Sequence, residues 1–349
     1  MKRLPLLPII LALTFAMAGF AQESEHSVTN KEVNIAGTLL EANTNEYPLV
    51  IFLTGSGGQD RDETIFGFKP FKIIAEHFAE QGISSFRFDD RQMGKSTGNL
   101  SEATLTDLAG DVQAIMDYFG EDYQSYILLG HSQGGMTAAA IARADERVSG
   151  LMLWATPTVP LKDVITDQIR IIQFAMGKTE TDIQNTLEFQ EMAYEAARTN
   201  EGWDGLRNAF KSLVETEIAK LPPAQQAYVT DVEAFANAQF EAQVKPIQSP
   251  HMRSYLHYDA MQDVIASEVP SIALFGGKDT QVTDALNGSA YKAACEANNL
   301  PCTYKLYPEA NHLFQKAGTG LADEYASLPK EFVDGFLADL AEWIKVGLK

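Results

Sequence analysis

The sequence predicts an α/β fold with a mostly parallel central sheet, helices on both faces and one helical insertion. Three observations carry this. Short apolar, β-branched runs alternate with stretches whose apolar residues recur at helical spacing. The runs are continuously apolar, as in strands buried on both faces. Residues 159–263, by contrast, hold helical patterns and no convincing strand.

The elements follow in order. Lys2 and Arg3 precede an apolar stretch over 4–20, and Gly19-Phe20-Ala21 places small residues at −3 and −1 before Gln22. This is the pattern of a secretory signal peptide, residues 1–21, cleaved after Ala21. A membrane anchor is the competing reading, but Pro5, Pro8 and the small-residue exit favour cleavage. No Cys follows the stretch, so a lipoprotein anchor is not indicated. The expected product is exported, periplasmic or secreted, without a stable membrane anchor.

Residues 22–45 read as a polar tail leading into an edge strand at 32–40. A buried strand follows at 48–54 and a helix at 69–81, ended by Gly82. Then come strand 83–88, helix 104–119, strand 125–130, helix 133–144 and strand 150–155. After the insertion, strand 271–276, helix 285–298, strand 302–307 and a closing helix at 329–346 complete the alternation. Within the insertion, helices are expected at 163–176, 181–199, 205–219 and 223–243. The organisation is therefore a core at 22–157, a helical cap at 158–263 and the rest of the core at 264–349.

Composition limits the partners. The 349 residues include 27 Lys plus Arg against 47 Asp plus Glu, a net charge of −20. With 45% apolar residues the chain is neither disordered nor a multi-span membrane protein. Basic residues cluster only at the first three positions, which disfavours nucleic acid as a partner. The oligomeric state stays open. In an exported chain, Cys295 and Cys302 can form a disulfide across the turn-forming Asn298-Asn299-Leu300-Pro301; two unrelated thiols are the alternative.

The chemistry is concentrated at strand ends. Strand 125–130 runs into Gly130-His131-Ser132-Gln133-Gly134-Gly135 and a small-residue helix, matching G-x-S-x-G in its strand–turn–helix context. A serine hydroxyl is a weak nucleophile and needs a base oriented by an acid. In sheets of this kind the chain order is Ser, then Asp or Glu, then His. Strand 271–276 leads to Gly277-Lys278-Asp279, and strand 302–307 to Pro308-Glu309-Ala310-Asn311-His312. Ligands gather at such strand ends, so Ser132, Asp279 and His312 can converge there. A tetrahedral oxyanion needs backbone donors. Gln133, following the serine, is one candidate, and Ser56 in the loop Thr54-Gly55-Ser56-Gly57-Gly58 is the other. A phosphate loop is the rival reading of that glycine run, but no G-K-[ST] follows it. His251 and His257 lack the i, i+4 spacing of a helical metal pair, so no metal is expected. The cap phenylalanines 174, 189, 210, 235 and 240 read as helical core, some of them also lining a pocket above Ser132.

These motifs resemble the bacterial α/β-hydrolase fold serine esterases. Gly55-Ser56-Gly57-Gly58-Gln59-Asp60-Arg61-Asp62 resembles the G-S-G-x-x-D-R-D oxyanion loop of an exported or cytosolic branch, here with the cap and leader of an exported member. Asp89-Asp90-Arg91-Gln92-Met93-Gly94-Lys95-Ser96 resembles the D-x-R-G-x-G-x-S loop, and Ser249-Pro250-His251-Met252-Arg253 with Tyr258-Asp259 resembles the return from cap to core. Gly276-Gly277-Lys278-Asp279 and Asn311-His312-Leu313-Phe314-Gln315 are similar to the acid and histidine loops. The likeness runs from about 33 to 346. It implies the α/β-hydrolase fold and hydrolysis of carboxylic esters through a seryl acyl-enzyme, without cofactor, on a small-molecule substrate with small to medium acyl chains. Three positions depart from it. Thr54 stands where His is usual, Gln92 where Gly is usual, and His251 where an aromatic is common. A peptidase, amidase or thioesterase on the same fold is the nearest alternative, and a non-catalytic ligand-binding protein is the alternative from another class.

Overall fold

The computed structural model describes residues 21–44 and 46–347. The signal peptide expected at 1–21 therefore lies outside the described residues except for Ala21. Eight strands form one sheet: β1 (Gln22–Asn30), β2 (Val33–Glu41), β3 (Leu49–Leu53), β4 (Ser85–Phe88), β5 (Tyr126–His131), β6 (Val148–Trp154), β7 (Ser271–Gly276) and β8 (Cys302–Tyr307). Their order is β1-β2-β4-β3-β5-β6-β7-β8. β3 to β8 run parallel, while β2 is antiparallel to both β1 and β4.

Alternate residues of the central strands feed two separate cores. Leu49, Ile51 and Leu53 of β3, with Tyr126 and Leu128 of β5 and Leu151 and Leu153 of β6, face one way. There they meet α2 (Leu105–Tyr118), α3 (Gln133–Ala144), α10 (Ala260–Ser267) and α11 (Ser289–Asn298). Val50 and Phe52, with Ile127, Leu129, Met152 and Trp154, face the other way, against α1 (Pro70–Glu80) and α12 (Phe336–Val346). Both faces are buried, which is why these strands read as unbroken apolar runs. Each such Leu, Ile or Phe contributes about 1.5–3 kcal/mol.

Two expectations are corrected here. Residues 22–30 are not a tail but strand β1, paired with β2 across the turn at Lys31, whose φ is 54°. It reads as polar because an edge strand offers little to bury: only Val28 is fully covered. The closing helix is α12 and begins at Phe336, since Gly335 holds φ 86° and cannot continue a preceding helix.

Between β6 and β7 lie α4 (Leu161–Ala175), α5 (Glu180–Thr199), α6 (Trp203–Lys220), α7 (Pro223–Gln226), α8 (Val232–Gln243) and α9 (Pro250–Leu256), then α10. A capping box of Thr179 and Asp182 starts α5. The single helix expected at 223–243 is two, because the Asp231 carboxylate accepts from the Ala234 N–H at 2.9 Å and opens α8 afresh. These helices have their own small core, with Ala193, Leu206, Phe240 and Val244 packed by Phe189, Trp203 and Phe210. Phe174 and Phe235 are exposed instead. Among the described residues no helix is long and apolar enough to cross a membrane.

Cys295 and Cys302 are disulfide-bonded, tying the end of α11 to the start of β8. Replacing both by serine is expected to lower the unfolding free energy by about 2–3 kcal/mol, read from urea titrations of the two proteins.

Candidate active site

Ser132 sits between the last residue of β5 and the first of α3, with φ 51° and ψ −120°. A non-glycine residue holds such a conformation only where its surroundings impose it. Here they are steric. A Cβ on Gly130 would collide with the backbone of Gly135, one on Gly134 with the carbonyls of Leu53 and Thr54, and one on Gly135 with Thr156. The Ser132 N–H donates to the Trp154 carbonyl at 2.8 Å, and its own carbonyl accepts from Gly135 N at 3.1 Å. The side chain is half-buried at the strand end.

Asp279 and His312 leave the ends of β7 and β8. Asp279 Oδ2 lies 2.8 Å from His312 Nδ1, and both residues are buried. The second oxygen, Oδ1, accepts from the Gln281 and Val282 amides at 2.8 and 3.0 Å. The carboxylate is thus clamped from both sides. It favours the tautomer with the proton on Nδ1 and leaves Nε2 as the basic nitrogen. Asn311 shapes the histidine loop, its Oδ1 accepting from Leu313 and Gln315 amides at 3.0 and 2.9 Å. The Ser132 hydroxyl makes no hydrogen bond to the His312 ring among the described residues. Such bonds are often long before substrate arrives. The two loops nevertheless touch, since His131 Nε2 lies 3.1 Å from the His312 carbonyl.

The loop after β3 lies against the serine. A Cβ on Gly55 would come within 3.5 Å of the Ser132 Cβ. Two of its amides are spent inward: Gly55 N–H donates to Glu63 Oε1 at 2.7 Å and Gln59 N–H to Asp90 Oδ2 at 2.9 Å. Ser56, Gly57 and Gly58 between them line a cleft that also includes Gln133. Gln133 opens α3, where the first N–H groups have no acceptor within the helix.

The Asp60-Arg61-Asp62-Glu63 run braces this loop, each residue through different partners. Asp60 Oδ1 accepts from the Asp62 and Thr64 amides, both at 3.0 Å. Arg61 pairs with Asp89 at 2.8 Å and Glu25 at 2.7 Å. Burial alone would raise the Asp89 carboxyl, but Arg61 overrides it and holds the carboxyl below its ordinary value. Asp62 pairs with the buried Arg87. Arg91 points elsewhere, to Asp111 on α2 at 2.6 Å. Gln92 holds φ 70°, a left-handed conformation that accounts for the usual glycine there.

Asp90 has no cationic partner in this network; it accepts from Thr54 Oγ1 at 2.8 Å as well as from Gln59. Burial pushes its carboxyl up to about 7, against the lowering effect of those two hydrogen bonds. His251, in α9, donates from Nδ1 to the Ala103 carbonyl at 3.0 Å and accepts at Nε2 from the Gln133 side-chain amide at 2.9 Å. The Nε2 contact needs a lone pair and therefore the neutral ring, and burial lowers the imidazole against the raising effect of the Ala103 carbonyl. His257 Nε2 faces the Tyr194 carbonyl at 3.4 Å, so the two histidines have separate partners. The cap phenylalanines are absent from the cleft beside Gln133, whose apolar lining is Met93, Leu100, Pro246 and Met252 instead.

Two residues at the site escaped the sequence reading. Glu63 and His131 are both buried and 2.8 Å apart, bridging the Ser56 loop and the serine turn. Their only trace in the sequence is an acid directly after Asp60-Arg61-Asp62 and a histidine at the first variable position of G-x-S-x-G.

Comparison with known proteins agrees with this architecture. Residues 48–319 match the alpha/beta hydrolase fold family. The chain is 24% identical to esterase EstD of Thermotoga maritima over 332 residues, 91% of this chain and 68% of that protein. It superposes on a thermophilic esterase from Thermogutta terrifontis with a TM-score of 0.53 at 17% identity, covering 94% of this chain and 100% of that one. Proline iminopeptidase from Mycobacterium smegmatis superposes equally, with a TM-score of 0.53 at 14% identity over 93% and 99% of the two chains.

The Asp90 carboxyl gives a pH test. Between its ordinary value near ~4 and about 7, the native chain holds a proton that the unfolded chain releases. Its contribution to stability therefore falls as pH rises through that window. Asp90→Asn keeps an acceptor for Thr54 and Gln59 but cannot ionise. Urea titrations from about pH 4 to 8 should show the wild type losing stability relative to the variant as pH rises.

Proposed function

The chain belongs to the alpha/beta hydrolase fold family, and from that premise we propose that it is an exported serine carboxylesterase acting through a seryl acyl-enzyme. The observation that carries this is the Asp279–His312 pair, 2.8 Å apart, with the His312 backbone bonded to the strained Ser132 turn. The likeness to EstD, named an esterase, supports the ester as substrate.

In this reading His312 Nε2 takes the Ser132 proton as Oγ attacks the ester carbonyl. The oxyanion forms against the Ser56 and Gln133 amides. Collapse expels the alcohol, protonated by the His312 imidazolium, and leaves the acyl group on Oγ. Water then attacks with His312 again as base, releasing the acid and restoring Ser132. Asp279 keeps the imidazole oriented and stabilises its charged form.

The cap, residues 158–263 in this proposal, shapes the substrate pocket. Gln168 of α4 donates to the Gln281 carbonyl at 2.8 Å, and Asp167 accepts from Thr283 at 2.7 Å, so the cap is tied to the acid loop. On the other side, Gln133 bonds His251 of α9. The cleft between α9 and the Ser56 loop has a volume of about 380 Å³, within the range of small-molecule sites and suited to small or medium acyl chains. Export is supported by the leader pattern at 1–21 and by the disulfide, a bond that persists in oxidising compartments.

The test is a series of nitrophenyl esters of increasing acyl length beside aminoacyl nitroanilides and an acyl thioester. Esters of short and medium acids should give the highest kcat/KM, and Ser132→Ala should lower kcat by at least about 10⁴-fold. Faster amide or thioester cleavage would move the chain to another branch of the fold. An active Ser132→Ala protein would defeat the mechanism.

A further inference from the structure

We propose that Glu63 and His131 form a buried ion pair, with His131 held as an imidazolium, which positions the oxyanion loop and the base on either side of Ser132. The proposal rests on the acyl-transfer reading of Ser132 and His312, but its first evidence is independent of it.

That evidence is hydrogen-bond arithmetic. His131 Nδ1 lies 2.8 Å from Glu63 Oε1, and Nε2 lies 3.1 Å from the His312 carbonyl oxygen. A neutral imidazole has one N–H and one lone pair, whereas a carbonyl oxygen only accepts. The Nε2 contact therefore demands a proton on Nε2. Glu63 Oε1 already accepts from the Gly55 N–H at 2.7 Å. A carboxylate facing Nδ1 demands the second proton there. The ring thus donates twice.

The surroundings set the balance. Burial favours the neutral ring, but the Glu63 carboxylate, its hydrogen bond and the His312 carbonyl outweigh it and hold His131 above the ordinary imidazole value, with the Asp279 carboxylate adding to the effect. Trp154 covers one side of the ring, centroids 4.1 Å apart, and the His312 ring lies 4.7 Å away. The Glu63 charge is in turn felt at Asp90, where it adds to the rise of that carboxyl. Glu63 itself is kept at φ 52° with Oε2 buried and without a partner, an expensive arrangement for a residue that only fills space.

The pair touches three loops at once. Through Gly55 it fixes the residue next to Ser56, which lines the cleft. His131 is adjacent to Ser132 in the chain. Through the His312 carbonyl it fixes the backbone of the base. Neither side chain meets substrate, so both are positioning residues. A neutral His131 would turn a lone pair toward one of two acceptors and release either the oxyanion loop or the histidine loop.

The experiment uses the full protein with ¹⁵N-labelled histidine rings and the preferred nitrophenyl ester. The resonance pair missing from His131→Gln identifies His131. In the wild type at pH 7.5 both of its ring nitrogens should carry protons, and Glu63→Gln should convert them to a single-proton tautomer. Glu63→Gln should also lower kcat by about 10²-fold with KM changed less than about threefold, because misplacement of the donors and the base is felt in the transition state. A singly protonated His131 ring in the wild type overturns the ion pair, and that spectrum needs no variant beyond the assignment. Wild-type kcat in a folded Glu63→Gln protein overturns the positioning role. A wild type whose serine never acylates would defeat the acyl-transfer reading and the positioning role together, while the doubly protonated ring would still be visible.

Discussion

The chain is so crowded behind Ser132 that no side chain fits at Gly130, Gly134 or Gly135, and the rest of the site depends on that crowding. Gly134 lies on the carbonyls that end β3, Gly130 on the start of α3, and Gly135 on Thr156 just beyond β6. Side chains at these positions would push the turn away from its neighbours. Their absence lets the chain reverse within one residue, at the cost of φ 51° on a serine. The same contact brings the end of β3 beside Ser132. The loop after β3 is therefore delivered to the serine by the packing of the sheet, before any polar contact is made.

Polar contacts then occupy part of that loop's backbone. Glu63 takes the Gly55 amide and Asp90 the Gln59 amide, and the residues between them, Ser56, Gly57 and Gly58, line the cleft. Glu63 is buried and Asp90 half-buried, and their surroundings differ. Glu63 has His131 beside it, whereas among the described residues Asp90 is met by a hydroxyl and an amide, and its carboxyl rises to about 7. Outside this shell, Arg61 and Arg87 tie the loop to β1 and to the end of β4 through Asp89, Glu25, Asp62 and Glu23. The β1–β2 hairpin thus contributes to the site from the far edge of the sheet.

Legibility in the sequence follows the range of the interaction. β7 and α3 were readable to the residue because each is an apolar or small-residue run bounded by glycine or by a turn, and β8 because Pro301 and Pro308 bracket a short β-branched and aromatic run. The contact between Asp279 and His312 followed from strand order, since each stands on the loop leaving a parallel strand. β1 escaped because an edge strand with one buried residue lacks a hydrophobic pattern. The late start of α12 depends on the conformation of Gly335, which no periodicity records. Glu63 and His131 escaped for a different reason: they are 68 positions apart, and only the fold shows that a buried acid faces a buried ring. The cleft lining was misjudged because the large cap phenylalanines prefer one another, with Phe189, Phe210 and Phe240 packing at 5.6 and 5.8 Å, to the surface over the serine.

The central claim is that Ser132 carries the acyl group. Mixing the protein with a slowly deacylating nitrophenyl ester, quenching with acid within the first turnover and mapping the mass shift by peptide tests it directly. The account requires one acyl group on the peptide containing Ser132, formed with a burst of nitrophenol equal to the enzyme present. A burst-free release of nitrophenol, or an acyl group carried on any other residue, would contradict it.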